Sequence, residues 1–206
     1  MKLFNFLLVG VILITLTGCT QQLKEKEVKP SSNLASPNPG DISINEFLYD
    51  PAPDASGDAN KDSVINPLED EFIEIVNISS KKIKLDGCTI EDSGSIRHTF
   101  PEETIINPMQ AVVIFGGGSL MGSNANELQQ LASTGALSLN NTGDTITIKN
   151  GETILESLSY TSAIGNNESV NKLPECDPLG TLTPHTSITG NIGTCSPGTL
   201  ASGDNF

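Results

Sequence analysis

The sequence predicts an all-β fold with the architecture of a β-sandwich. Three observations predict it: the apolar runs are short and rich in β-branched residues, many of them alternate with polar residues, and turn-forming residues separate them. The 206 residues include 19 glycines and 12 prolines, which interrupt the chain at close intervals. Many short strands with turn signals between them are typical of two stacked antiparallel sheets.

The two clearest strands are residues 42–48 and 71–77, because apolar and polar side chains alternate along both. An Asn-Gly pair at residues 150–151 predicts a type I′ hairpin. One helix of about two turns is predicted over residues 126–132. The remaining predicted strands are short apolar or alternating runs: residues 82–85, 88–91, 97–100, 104–106, 111–115, 136–139, 145–149, 153–160 and 169–173.

The N-terminus predicts an export signal. Residues 4–16 are apolar and follow a single positive charge, and the stretch is of signal-peptide length rather than membrane-spanning length. Residues 16–19, Leu-Thr-Gly-Cys, resemble a bacterial lipobox. That resemblance implies cleavage after residue 18, a diacylglyceryl thioether on Cys19 and acylation of the new N-terminus, and several acyl chains anchor a protein firmly to a bilayer. A periplasmic protein whose Cys19 is merely near the cleavage site is the alternative.

The composition is strongly acidic. The formal net charge is −14 at pH 7, and removal of residues 1–18 takes away Lys2 and no acidic residue, which leaves about −15. Such a surface repels nucleic acid and anionic lipid and attracts cations. We therefore expect no nucleic-acid partner.

The chain is expected to hold one folded domain behind a tether. Residues 1–18 form the predicted lipoprotein signal peptide. Residues 19–40 carry the lipidated cysteine and a polar, proline-containing segment that has little to bury and is predicted to be disordered. At about 5–6 Å × √n such a tether would span roughly 25 Å. Residues 41–200 form the predicted domain, and residues 201–206 are a short tail.

Three cysteines remain once Cys19 is lipidated, and an exported protein can hold disulfides. Cys176 and Cys195 both lie in turn-rich sequence near the end, and we expect them to pair; closing a loop of about 20 residues would contribute roughly 3 kcal/mol. Cys88 lies in an apolar run and is predicted to be buried and unpaired. A bridge from Cys88 to either of the others is the competing assignment.

The order of motifs along the chain resembles the lamin tail domain. Each motif alone has little specificity, whereas the ordered series over residues 40–200 is fairly specific. The motifs are Ile-Asn-Glu at residues 44–46, the acidic-aromatic strand at residues 70–77, the Leu-Asp-Gly-Cys turn at residues 85–88 with its strand to residue 92, Phe-Pro at residues 100–101, Ile-Asn-Pro at residues 106–108, Leu-Ser-Leu-Asn-Asn at residues 137–141 with Gly-Asp at residues 143–144, and Ser-Pro-Gly-Thr at residues 196–199.

This resemblance implies an immunoglobulin-like sandwich with no shared catalytic residues. In bacteria the family is found on secreted and surface proteins, often beside enzymatic or adhesive domains. The tryptophan that usually follows the Leu-x-Gly turn is Cys88 here, so this part of the core must be packed differently.

The segment at residues 58–69 resembles an EF-hand-type or dockerin-type calcium loop. A tight turn directs alternate side-chain oxygens inward, and calcium accepts such an irregular oxygen cage. Between residues 50 and 74 there are eight acidic residues and one basic residue, so the crowd of carboxylates favours a bound cation. The predicted ligands are Asp58, Asn60, Asp62, the carbonyl of Val64, Asn66 and Glu69, holding Ca²⁺ in a structural role.

Two features of this loop depart from the calcium-loop pattern. Ser63 occupies the position where glycine is usual, and a left-handed backbone there would cost on the order of 1–2 kcal/mol. No amphipathic helix precedes the loop. A solvated acidic loop is the alternative interpretation, because Asp and Asn also favour turns.

The remaining residues that could suggest a catalytic or phosphate-binding site are interpreted as structural. Residues 116–118, Gly-Gly-Gly, are interpreted as a flexible turn because no Gly-Lys-Ser/Thr follows. His98 is interpreted as a strand residue, and Glu71 or Asp70 as an extra ligand near the calcium loop. No catalytic residue is predicted; a catalytic site would require Glu46, Glu74 and His98 to converge.

The sequence therefore predicts a non-catalytic lipoprotein of the bacterial cell envelope, anchored in the outer membrane or at the cell surface. Its domain is expected to act as a binding, adhesion or structural module, stabilised by calcium, with an unidentified protein or glycan as ligand. The alternative is an envelope-associated, calcium-dependent hydrolase.

Overall fold

The computed structural model describes residues 34–121 and 127–206, and it confirms the all-β sandwich. The signal peptide, Cys19 and residues 19–33 of the predicted tether lie outside the described residues. The described residues form two 3₁₀ turns, Ala55–Gly57 and His185–Ser187, and no α-helix. They also form twelve strands: β1 (Ile42–Leu48), β2 (Phe72–Asn77), β3 (Ile83–Lys84), β4 (Thr89–Glu91), β5 (Ile96–Thr99), β6 (Ile105–Ile106), β7 (Ala111–Phe115), β8 (Glu127–Leu131), β9 (Gly143–Asn150), β10 (Thr153–Thr161), β11 (Val170–Leu173) and β12 (Thr181–Pro184).

Ten of these strands form the two layers of the sandwich. One sheet has six strands in the order β12-β11-β1-β2-β7-β8, and the other has four in the order β10-β9-β4-β5. The two short strands β3 and β6 pair with each other. Every pair is antiparallel except β7 with β8. The predicted alternation is what allows each layer to present one apolar face to the other.

The main core fills the space between the two sheets. Burial of each large aliphatic or aromatic side chain contributes about 1.5–3 kcal/mol, so this layer supplies most of the driving force for folding. Cys88 is part of it with 1% of its surface exposed, in agreement with the prediction. The members are drawn from both layers and include Ile42, Ile44, Phe47, Ile73, Ile75, Ile90, Val112, Ile114, Ile146, Ile148, Tyr160 and Val170.

The opposite face of the six-stranded sheet, called here the outer face, is covered as well. Residues 191–204, called here the C-terminal strap, lie across it together with the first part of the loop that joins β1 to β2. A second apolar cluster forms beneath them, with Cys195 of the strap packed against it. Its buried members are Leu48, Ala59, Phe72, Val113 and Phe115.

A bulge in β1 interrupts the predicted alternation. Ile44 pairs with Ile75 and Glu46 with Glu74, so Asn45 has no partner in the register. Ile44 and Phe47 both belong to the main core, although they are three residues apart. The bulge therefore places two consecutive polar residues, Asn45 and Glu46, on the side of the sheet away from that core.

The predicted helix at residues 126–132 was wrong, because residues 127–131 are strand β8; Asn126 lies outside the described residues. β8 pairs in parallel with β7, from Ala111 opposite Glu127 to Phe115 opposite Leu131. Side chains alternate along it, with Leu128 packed on the main core. Tertiary pairing with a buried strand decided this segment over its local helix propensity.

Three further strand assignments differ from the prediction. Residues 136–139 are not a strand, although Leu137 and Leu139 are buried. The predicted β9–β10 hairpin is present, but Asn150 pairs with Thr153, so the loop residues are Gly151 and Glu152. Only Gly151 has a positive φ, 58°, which is the pattern of a type II′ rather than a type I′ turn. Strand β12 was not predicted.

Ordered contacts begin before the predicted domain boundary at residue 41. Ala35 forms an isolated parallel bridge with Ile83, and the amide of Lys84 donates to the carbonyl of Ala35 at 3.0 Å. Residues 34–40 are therefore attached to the domain.

The cysteines do not form the predicted bridge in this structure. Cys88, Cys176 and Cys195 are all free thiols. Cys195 packs against the apolar cluster on the outer face, whereas the Cys176 amide donates to Asn45 Oδ1 at 2.7 Å. Burial raises the pKa of the Cys176 and Cys195 thiols to about 12 each. Neither thiol is ionised at neutral pH, so neither is an activated nucleophile.

Within the described ranges, no helix has the length and apolarity needed to cross a membrane.

Candidate calcium loop and buried carboxylates

The loop between β1 and β2 folds its acidic side chains back onto its own backbone. Asp58 Oδ2 accepts from the Ser63 amide at 3.1 Å, and Asn60 Oδ1 accepts from the Asp62 amide at 3.0 Å. Asp62 Oδ1 accepts from the Val64 amide at 2.8 Å. Three alternate side chains therefore turn inward at residues 58, 60 and 62, which is the arrangement that the spacing predicted.

The backbone of this turn is left-handed at Lys61 and Ser63, with φ values of 63° and 70°. Such a conformation costs a non-glycine residue about 1–2 kcal/mol. The three inward hydrogen bonds offset this cost. The position that usually holds glycine thus has the predicted geometry, although it is serine.

Asp70 fixes the base of the loop and is not one of its inward-pointing ligands. Its Oδ1 accepts from the amides of Ala59 at 2.9 Å and Asn60 at 3.3 Å, and its Oδ2 accepts from the Asn66 amide at 2.9 Å. The side chain is fully buried. Burial raises the pKa of Asp70, and the three backbone donors oppose that rise.

The glycine run at residues 116–118, read from sequence as a flexible turn, is a close-packed wall of this loop. A Cβ on Gly116 would lie 1.9 Å from the Leu68 carbonyl oxygen, and one on Gly117 would lie 2.8 Å from Glu69 Cγ. Any side chain at either position would collide with the loop. Consecutive glycines directly after a buried strand were the available sequence signal, because glycine permits close approach of another backbone.

At Gly118 the polar groups of the loop converge on one point. A Cβ built there would lie 2.4 Å from Asn60 Nδ2, 2.6 Å from Asp62 Oδ2 and 3.4 Å from Glu69 Oε2. The Ser119 amide also donates to Asp62 Oδ2 at 2.9 Å. Asp62 and Glu69 therefore present carboxylate oxygens to a common cradle, and Asn60 presents its amide nitrogen, which also donates to the Gly117 carbonyl at 3.2 Å. The fourth side of the cradle is the backbone of the glycine run.

Asp58 supplies an unsatisfied acceptor to the same loop. Its Oδ1 is buried and has no hydrogen-bond partner among the described residues. A buried carboxylate oxygen without a donor costs free energy that a cation would recover. The donor set is oxygen-rich, which fits calcium.

The second half of the predicted ligand set is arranged differently. Asn66 Oδ1 accepts from the Leu68 amide at 3.1 Å, so this oxygen caps a turn. Val64 has a side chain that is 53% exposed, and only its carbonyl was predicted as a ligand. In the described part of the chain, no three side chains of the types His, Cys, Asp and Glu are grouped so as to hold a metal ion by themselves. A cation here would also need the amide and carbonyl oxygens.

Glu71 does not extend the ligand set, contrary to the prediction. Its Oε2 accepts at 3.1 Å from the amide of Leu139, which lies in the segment that follows β8. Burial raises the pKa of Glu71 to about 8, and hydrogen bonds from Leu139 and Ser138 oppose that rise.

A second acidic constellation lies beneath the C-terminal strap. Glu46 and Glu74 are opposite each other in the β1–β2 register, and both are fully buried. Burial raises the pKa of both carboxyls, and the charge of Glu46 raises that of Glu74 further. Because two buried like charges repel, the pair is expected to keep at least one proton.

The strap supplies most of the hydrogen bonds to this pair. Glu46 accepts from the Ser196 amide at 2.9 Å, from the Ser196 hydroxyl at 2.8 Å and from the Ser169 hydroxyl. Glu74 accepts from the Gly198 amide at 2.6 Å and from Asn45 Nδ2 at 2.9 Å. The two carboxyls thus hold the strap to the sheet through its backbone.

The histidine next to this pair is His185 and not His98. His185 Nδ1 lies 3.6 Å from Glu46 Oε1 and 3.0 Å from Asn171 Oδ1. His98 contacts Gln130 Oε1 at 2.9 Å and accepts from the Ser133 amide at 3.2 Å, which fixes it against the segment after β8. The convergence that a catalytic site required is therefore incomplete, and the carboxyl pair has no exposed surface for a substrate.

A cavity of about 420 Å³ lies between the start of the calcium loop and the strap. Its walls combine polar and apolar side chains from four parts of the fold. They include Asn60 and Lys61 of the loop, Phe115 of β7, Gln129 of β8, and Ile192 and Ser196 of the strap.

The buried carboxyls predict how stability depends on pH. The unfolded chain loses its glutamate protons near about pH 4.3, whereas the folded state keeps protons on Glu46 and Glu74 to higher pH. The contribution of these two groups to the free energy of unfolding is therefore complete below about pH 4.3 and is lost as the pH rises through their higher folded pKa values. We expect the melting temperature of the fragment 34–206 to fall between pH 5 and pH 9. Glu46→Gln keeps an acceptor for the Ser196 amide and should flatten this fall.

Circular dichroism melts at each pH measure the effect. Glu152→Gln, a change of an exposed residue in the β9–β10 hairpin, is the matched control and should melt like the unchanged fragment at every pH. A melting temperature that stays level or rises toward pH 9 would contradict the assignment of protons to the buried pair.

Comparison with protein families gives one match. The family model described as Lamin Tail Domain matches residues 35–162, which include β1 to β10. A comparison with the curated proteins found no match. The matched family is a non-catalytic, immunoglobulin-like module, and the match spans more than half of the sequence. The chain belongs to the Lamin Tail Domain family.

Proposed function

We propose that this protein is a non-catalytic, lipid-anchored binding module of the bacterial cell envelope, stabilised by calcium. The observation that carries the proposal is the cradle at Gly118, where the carboxylates of Asp62 and Glu69 face one point. The family is compatible with a binding or structural role.

Calcium suits this cradle for a chemical reason. Calcium accepts six to eight oxygen ligands at about 2.3–2.6 Å in irregular arrangements, whereas magnesium requires a near-ideal octahedron. Asp62 and Glu69 present carboxylate oxygens to the cradle, and the unpartnered Asp58 Oδ1 belongs to the same loop. The remaining ligands would be backbone and side-chain amide oxygens of the loop. When bound, the ion would neutralise the local negative charge and tie the loop to the glycine run. Its role would be structural.

The loop between β1 and β2 lies at the opposite end of β1 from the bridge between Ala35 and Ile83. β1 begins at Ile42, near the bridge between Ala35 and Ile83, and runs for seven residues before the loop begins. At about 3.3 Å per residue, roughly 23 Å separate the two ends. We call the end that carries residues 49–71 and 116–121 the loop end.

The loop end carries exposed apolar side chains that suit a binding surface. Three of them belong to the loop between β1 and β2, and Met121 and Ile192 line the cavity of about 420 Å³ beside it. A concave site with an apolar rim is a common form of ligand-binding surface. We propose that this end contacts an unidentified protein or glycan. The side chains are Val64, Ile65, Leu68, Leu120 and Met121 of the loop end, together with Ile192 of the strap, each at least 39% exposed.

Calcium binding is tested by calorimetric titration of the fragment 34–206. We expect a one-site heat and a higher melting temperature, because a ligand at 100 times its Kd stabilises the folded state by about 2.7 kcal/mol. Asp62→Asn removes one charge from the cradle and should weaken binding on the order of tenfold or more. Gly118→Ala, which fills the cradle at a positive φ of 80°, should abolish it.

Asp54→Asn is the matched control, because Asp54 lies in the same loop and is exposed outside the cradle. It removes the same charge and should leave the affinity unchanged. Absence of heat at millimolar calcium in the unchanged fragment would refute the calcium site.

The lipid anchor is tested on the full chain expressed in bacteria. We expect incorporation of labelled palmitate and partition into a detergent phase, and both should be lost in Cys19→Ser. Cys88→Ser, which alters a buried core thiol, is the control and should keep the label. Full labelling of Cys19→Ser would exclude this cysteine as the attachment site.

The binding surface is tested by capture of envelope and extracellular-matrix components on the immobilised fragment, with calcium and with chelator. Leu68→Ser changes a side chain that is 56% exposed at the loop end and should reduce capture. Ile154→Ser changes one that is 53% exposed on β10 and should not. Equal capture by both variants would place the binding surface elsewhere.

A further inference from the structure

The C-terminal strap and the calcium loop touch each other directly. Thr194 of the strap donates its hydroxyl to the carbonyl of Ser56 at 3.0 Å. Ser56 belongs to the 3₁₀ turn Ala55–Gly57, which ends next to Asp58. The carbonyl of Thr194 in turn accepts from the Ser169 amide at 2.9 Å, which fixes this part of the strap to the start of β11.

The second contact is apolar. Cys195 packs against the cluster that includes Ala59, Phe72 and Phe115. Ala59 is 1% exposed and lies between Asp58 and Asn60, two of the predicted ligands. Removal of the strap would uncover Ala59, and the backbone that orients both ligands would lose its support on that side.

Specific hydrogen bonds hold the strap in one position on the sheet. Ser196 and Gly198 donate their amides to the buried carboxyls of Glu46 and Glu74, and the Ala201 amide donates to Glu175 Oε1 at 2.9 Å. Gly198 has a positive φ of 87°, which strains any other residue, and a Cβ there would displace the Glu127 side chain. The docked position is therefore defined by geometry as well as by hydrogen bonds.

We propose that docking of the C-terminal strap and binding of calcium are thermodynamically coupled, each strengthening the other. The inference rests on the proposed calcium site and adds its regulation. Calcium would hold residues 58–69 in the conformation against which Thr194 and Cys195 pack. The docked strap would hold Asp58 and Asn60 in the conformation that binds calcium.

Coupling of this kind is reciprocal, because the same free energy links both events. It would also make the cavity between loop and strap depend on calcium, because that cavity has walls from both segments. The apolar rim contributed by Ile192 would then be presented to a ligand only when the strap is docked.

Hydrogen exchange of the unaltered fragment 34–206 tests one direction of the coupling. With saturating calcium, the amides of Ser196 and Gly198 should exchange about fivefold more slowly or better, and those of β9, on the other sheet, should change less. In Asp62→Asn the strap amides should show no response to calcium. Unchanged or faster exchange of the strap, in a fragment that binds calcium by calorimetry, would overturn the coupling while leaving the calcium site intact.

Calorimetry of a strap variant tests the other direction. Thr194→Val removes the hydroxyl that bonds to Ser56 and should weaken calcium binding by about fivefold or more. Thr181→Val, the same change at an exposed position of β12, should leave the affinity unchanged. Equal affinities in both variants would overturn the coupling. If the unchanged fragment takes up no calcium by calorimetry, the proposed calcium site and the coupling both fail. If it takes up calcium but the strap amides do not exchange more slowly, the coupling alone fails.

Discussion

The rest of the structure depends on how two carboxyls are buried side by side. Glu46 and Glu74 face each other on the outer side of the six-stranded sheet with no exposed surface. Burying such groups without partners would cost several kcal/mol, so the surrounding chain must supply hydrogen bonds. The strap does so through Ser196 and Gly198. The need of these two buried carboxyls for hydrogen-bond donors thus determines where the C-terminal strap lies.

The position of the strap also determines the apolar packing on the outer face. With the strap in place, the outer face gains its own buried cluster, in which Cys195 covers Phe72 and Phe115. The same cluster reaches Ala59, inside the loop that carries the proposed calcium ligands. The glycine run at residues 116–118 closes the loop from the other side. The candidate site is therefore built by three segments distant in sequence, and its geometry follows from their packing on one sheet face.

The local patterns were predicted well where one physical rule dominates. Strands β1 and β7 were predicted with the observed bounds, since alternation or an uninterrupted apolar run is a strong signal. The inward turn at residues 58–62 followed from the Asp and Asn spacing. The prediction failed where a distant partner decided the outcome: β8 pairs with β7 instead of forming a helix, and Glu71 reaches Leu139 instead of the calcium loop. The predicted Cys176–Cys195 bridge rested on the position of both cysteines in turn-rich sequence near the end of the chain, and both are free thiols in the structure.

The sequence by itself determined the class of the fold, most of its strands, the family and the inward turn at residues 58–62, because each of these is expressed in residues close together along the chain. Only the tertiary structure decided that Glu46 and Glu74 form a buried pair, that the glycine run is a wall, and that the strap supports the loop. The bulge at Asn45 is the physical reason for the first of these, because it places Asn45 and Glu46 on the same face. The glycine run and the strap act as they do because distant parts of the backbone approach the loop closely. No single segment of the sequence indicates which distant backbone will do so.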